Sequence, residues 1–132
     1  MARYVVGCVV AVALVASSGC SSAAHFREYR DGQSLFAVMH DSIRPGDSIV
    51  KVEHLLGRGL TVGQKDALQA AKNMEAKNPA NWPDGVNDDD WVIGFRYGEL
   101  STLWLQFRDG RLVNHDPKDY AKYEPMVSAV GG

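Results

Sequence analysis

WVIGFRYGELSTLWLQFRDGRL, residues 91–112, is the stretch whose reading decides the fold. Trp91, Ile93, Phe95 and Tyr97 alternate with Val92, Gly94 and Arg96, and Leu103, Leu105 and Phe107 alternate with Thr102, Trp104, Gln106 and Arg108. A period of two belongs to strands with one buried face. Asp109-Gly110 has the chemistry of a two-residue hairpin turn, in which both residues take positive φ. It leads into a third strand, Arg111 to His115. Opposed residues on antiparallel strands share a face, so this turn sets Phe107 against Leu112 and Trp104 against His115. An odd loop, residues 98–100, keeps both apolar sets on one side and sets Phe95 against Leu103 and Gly94 against Trp104. The outer face is then expected to carry Val92, Gly94, Arg96, Thr102, Trp104, Gln106, Val113 and His115.

Upstream of the sheet the period lengthens. Leu35, Phe36, Val38, Met39 and Ile43 recur at helical spacing, with Asp31 or Ser34 available as a cap, and this helix must stop before Pro45. A second helix follows Ser48, with Ile49, Val52, Leu55 and Leu56 as its apolar stripe and Gly57 as its exit. Thr61 and Gln64 have the spacing of a capping box. They open a third helix that runs to Lys77, with Ala67, Leu68, Ala71 and Met74 on its buried face. Residues 79–90 hold two prolines, a glycine and the run Asn87-Asp88-Asp89-Asp90, and read as a surface loop in which Trp82 plugs the core. The fold class is α+β: two to three helices packed on a three-stranded antiparallel meander.

The N-terminal end is of another kind. Arg3, the apolar run Val5 to Ala16 and the small, polar stretch Ser17-Ser18-Gly19 make up the three parts of an export signal. The run is too short to cross a hydrocarbon core of about 30 Å. Gly19-Cys20 resembles the lipobox of bacterial lipoproteins, with Ser17 where leucine is usual. The expected organisation is a signal over 1–19, a lipidated tether over 20–30 beginning with acylated Cys20, one domain over 31–116, and a polar tail over 117–132. Cys8 departs with the signal and Cys20 carries lipid, so no disulfide is expected. Ser21 after the cysteine matches the sorting rule for the outer membrane, with the domain facing the periplasm. The full chain has a net charge of −2 and the processed chain −3, which offers no basic surface for nucleic acid.

Several short motifs now stand in order: Ile43-Arg44-Pro45-Gly46-Asp47-Ser48, Val52-Glu53-His54-Leu55-Leu56-Gly57, Trp91 to Tyr97, and Leu103 to Leu112 with its Asp109-Gly110 turn. Together they resemble the SmpA/OmlA (BamE-like) family of small outer-membrane lipoproteins over roughly residues 34–115. The family's usual methionine before the capping residue is Asp47 here, and the helix ending at Lys77 reads as an insertion, so the chain resembles a divergent member. The resemblance implies a non-catalytic lipoprotein held to the membrane by its N-terminal lipid and contacting envelope or outer-membrane proteins. The layout also resembles the repeat unit of the beta-lactamase-inhibitor-like fold, which implies a periplasmic inhibitor or small-ligand binder as the alternative.

The four histidines, at 25, 40, 54 and 115, have no spacing that gathers them, and no Gly-x-Ser-x-Gly elbow, zinc-ligand spacing or phosphate-binding glycine loop occurs. The Asp88 to Asp90 run lacks the alternation of a calcium loop. Neither an enzyme, a cofactor nor a metal is expected. Arg96, Trp104, Gln106 and His115 on the outer sheet face form the candidate interaction face, since aromatics and arginine anchor interfaces. Two dispositions are open: an exposed Trp104 that can be truncated without loss of folding, or a face covered by the tether or by the tail with Tyr120 and Tyr123.

Overall fold

The computed structural model describes residues 21–123. Residues 1–19, expected to be an export signal, Cys20 and the last residues of the chain lie outside the described residues. Residues 21–29 are helical (α1), followed by α2 (Gly32–Asp41), α3 (Ile49–Leu56), α4 (Gln64–Lys77), β1 (Trp91–Tyr97), β2 (Ser101–Arg108) and β3 (Arg111–Leu112), with 3₁₀ turns at Pro79–Asn81 and Pro117–Tyr123. The strands form one antiparallel meander in the order β1-β2-β3. The fold is the expected α+β arrangement of helices on a three-stranded sheet.

Local chemistry accounts for most of the boundaries. Asp31 caps α2, its Oδ2 accepting from the Ser34 amide at 3.0 Å while the Ser34 hydroxyl donates to Oδ1 at 2.6 Å. Ser48 caps α3 by accepting from the Lys51 amide at 3.1 Å. Gly57 ends α3 at φ 80°, ψ −166°, a backbone region open essentially to glycine alone. Asp109 and Gly110 both take positive φ, as a tight hairpin turn requires. The register agrees with the pattern: Phe95 pairs with Leu103, Gly94 with Trp104 and Phe107 with Leu112.

The main core lies between the inner sheet face and the helices. Leu35, Val38 and Met39 of α2, Val52 and Leu56 of α3, and Ile93, Phe95, Leu105, Phe107 and Leu112 of the sheet are buried in one cluster. Trp91, expected on this face, is instead 49% exposed, because the first residue of β1 lies past the edge of the buried cluster.

Three further expectations are corrected. The segment read as a tether is α1, whose Ala23 and Phe26, three residues apart, are buried in the main core. The Arg27 guanidinium donates to the Leu55 carbonyl at 3.0 Å, and that of Arg30 to the Leu56 carbonyl at 3.0 Å. These cations satisfy carbonyls left open at the end of α3 and complement its dipole. The capping box does not form: α4 starts at Gln64 with Gly63 as an N-cap that makes no side-chain bond. The Gln64 amide instead donates to the Val92 carbonyl at 2.7 Å and accepts from the Val92 amide at 2.9 Å, as a neighbouring strand would. Within the tail, Pro117–Tyr123 form the second 3₁₀ turn, where Tyr120 packs back on the domain and stacks on Phe36 of α2 with ring centroids 5.6 Å apart.

Both sheet edges are engaged. Besides Gln64, the Leu60 amide donates to the Gly94 carbonyl and the Gly98 amide to the Arg30 carbonyl along β1. Beside β3, Leu112 donates to Asp47 and its carbonyl accepts from Gly46.

A Cβ at position 57 would lie 2.8 Å from the Arg30 Nη2 and add strain to the backbone. Gly57→Ala is expected to lower stability by about 2 kcal/mol, read as a shift of the urea midpoint with unchanged slope.

Candidate functional site

The outer sheet face, where the candidate residues were expected to meet, is a second small core. Val92 of β1 is buried against Ala67 and Ala71 of α4 and against Trp82, with Leu68, Met74, Val86 and Trp104 packed around them. Among the described residues the cover is therefore α4 and the Pro79 to Asp90 loop, and neither α1 nor the turn at Pro117–Tyr123. Trp82 is a plug, as read from the sequence, but it seals this second cluster.

The four candidate residues separate. Arg96 is exposed, its guanidinium 3.4 Å from the Glu99 carbonyl. Trp104 is half-buried, its ring lying over Gly94; a Cβ at Gly94 would come within 3.0 Å of Trp104 Cζ3. Gln106 is fully buried and His115 is 7% exposed, which removes both from any contact surface. His115 does not face Trp104 at all, because β3 stops at Leu112. Beyond it the Asn114 side chain takes over the pairing, accepting from the Gln106 amide at 2.8 Å and donating to the Trp104 carbonyl at 3.0 Å. The chain then turns to the helical side, where His115 Nε2 lies 2.9 Å from the Ile43 carbonyl and its ring 5.6 Å from that of Tyr120.

What gathers on the outer face is a polar knot. The Asp90 side chain is fully buried, and Arg108 grips both its oxygens at 2.9 Å through Nε and Nη2. Gln106 donates to Asp90 Oδ2 and to the Gly85 carbonyl, each at 2.6 Å, and the Asn87 amide donates to the same Oδ2 at 2.8 Å. Burial opposes ionisation of Asp90, but the bonds from Arg108, Asn87 and Gln106 outweigh it and hold the carboxyl below its ordinary range. This arrangement closes the loop onto β2; Lys72 of α4 pairs with Asp88 beside it. The Asn87 to Asp90 run read as part of a surface loop, and Asp90 is instead buried against Gln106 and Arg108, two polar residues two apart on β2 whose shared face is the sequence signal for such a partner.

His115 is shifted for the opposite reason. Burial pushes its imidazole below the ordinary histidine value, against the backbone carbonyls of Ile43 and Met39 and the carboxylates of Asp116 and Asp119. Of the other histidines, His25 pairs with Asp31 at 3.2 Å, His40 with Asp41 at 2.8 Å, and His54 is exposed on α3. Among the described residues no group of three or more His, Cys, Asp or Glu is placed to hold a metal, and no helix is long and apolar enough to cross a membrane. Comparisons with protein-family models, with curated proteins and with solved structures found no match.

Arg108→Ala leaves a buried carboxylate short of its cation and is expected to cost about 3 kcal/mol, read by urea unfolding. For His115, the unfolded chain takes up a proton as pH falls below about 6.5 while the native state resists it. Stability should therefore decline on acidification, by at most about 1.4 kcal/mol per pH unit, and His115→Gln should flatten that slope.

Proposed function

We propose that this chain is a non-catalytic lipoprotein of the outer membrane, facing the periplasm, which acts through protein–protein contacts in envelope assembly or maintenance. The observation that carries this reading is Gly19-Cys20 placed directly behind the apolar run Val5 to Ala16. A thioether-linked lipid at Cys20 gives the chain a membrane address without a spanning helix, and Ser21 directs it outward. The arrangement of helices on a three-stranded meander supports a divergent SmpA/OmlA (BamE-like) lipoprotein. The motifs behind that resemblance have structural tasks in this chain: Ser48 caps α3, Gly57 ends it, and Asp109-Gly110 makes the hairpin turn.

With the outer sheet face occupied by α4, the contact surface moves elsewhere. Trp91, half-exposed at the start of β1, is the tryptophan open to a partner, and truncated tryptophans are among the costliest losses at interfaces. Intact-mass analysis of protein from its native host should show a diacylglycerol adduct on Cys20 as the new N-terminus. Cys20→Ser should release the protein into the soluble periplasmic fraction. An unmodified Cys20 thiol in the native host would overturn the reading.

A further inference from the structure

Helix α1 leaves no slack between the twentieth residue and the folded domain. The helix is already formed at residue 21. Ala23 and Phe26 are 1% and 0% exposed within the main core. Arg27 and Arg30 bond the carbonyls at the end of α3, and the Arg30 guanidinium also lies 4.9 Å over the Phe26 ring. At the far end of α1 the Arg30 amide donates to Phe26 and its carbonyl accepts from Gly98, in the turn between β1 and β2. Core packing, helix-end bonding and a sheet turn thus hold one short helix at three places.

The alternative is a free chain of the same length. Ten flexible residues have an end-to-end distance of about 17 Å and reach about 33 Å when extended, in any direction. A nine-residue helix spans about 13 Å, along one axis fixed in the domain. We infer that the domain is mounted on the bilayer through α1 as a rigid body, so that the lipid headgroup surface beside the N-terminal end of α1 is a fixed contact of the folded protein. The inference rests on the proposed acylation of Cys20. The processed chain is mildly acidic, so charge does not draw it to anionic lipid; covalent geometry does. A partner must then be reached from a constant height and orientation, with Tyr29 and Leu100, 63% and 88% exposed, on α1 and on the turn it is bonded to.

The test uses the full chain purified from its native host and reconstituted in vesicles of phosphatidylethanolamine and phosphatidylglycerol. Cys8 leaves with the signal and Cys20 is blocked, so Leu100→Cys supplies one thiol for a fluorophore whose energy transfer to a headgroup dye reports distance. A companion chain carries a six-residue Gly/Ser insertion between Cys20 and Ser21. The direct chain should give a narrow distance distribution, and the insertion should broaden it and extend it outward by about 13 Å on average. Amides 25–29 should be protected from hydrogen exchange in both. Equally broad distributions from the two acylated chains, or unprotected amides in α1, would overturn the rigid mount alone. Thiol labelling of the chain without the Leu100→Cys change would overturn the anchor and, with it, the mount.

Discussion

A three-stranded sheet with apolar residues on both faces has to be covered twice. The inner face is met by α2 and α3 with large side chains in one continuous core. The outer face carries Val92 and the Trp104 ring, and α4 covers it with alanines. Alanine lets a helix approach a sheet closely but buries little area, and hydrophobic stabilisation scales with area at roughly 25 cal/mol per Å². The second layer is therefore tied down at both ends by directed polar bonds. Gln64 holds the start of α4 to β1, and the Asp90–Arg108–Gln106 knot holds the following loop to β2.

Such a knot contributes direction more than net energy, since a buried ion pair offsets much of its own attraction by desolvation. Its geometry, two bonds from one guanidinium and further donors from Gln106 and Asn87, admits one placement of the loop. That placement seats Trp82 and Val86 against Val92, so polar specificity and apolar burial agree on a single arrangement. Side chains also finish the sheet's edges. Gln64 and Asn114 each stand in for a peptide group, one beside β1 and the other beyond β3. Unpaired strand edges invite pairing with other chains, and here the outer strands are engaged from within.

The same logic extends to the N-terminal helix. Phe26 in the core and two arginines on the end of α3 make α1 part of the domain. In a lipid-anchored protein, the difference between a docked helix and a loose link is the difference between a set height above the bilayer and a cloud of positions. It bears on which neighbours such a domain can meet.

How much of this was legible beforehand depended on whether the signal was local. The alternation over 91–107, the Asp109-Gly110 turn, the caps Asp31 and Ser48 and the exit at Gly57 each depend on neighbouring residues, and they determined the strands, the register as far as Leu112 and the limits of α2 and α3. Which side chains meet across the chain was decided only on folding. Nine residues with two buried positions are too short for a helical period to stand out, so α1 read as a linker. Alanines at helical spacing do not announce what they cover. Gln106 and His115 looked alike on an outward-facing register, yet one is bonded to Asp90 across the layer and the other is carried to the helical side once Asn114 replaces the backbone pairing. Partners separated by tens of residues have no sequence period to mark them, and packing chooses among them because burying a polar group without a hydrogen bond costs free energy.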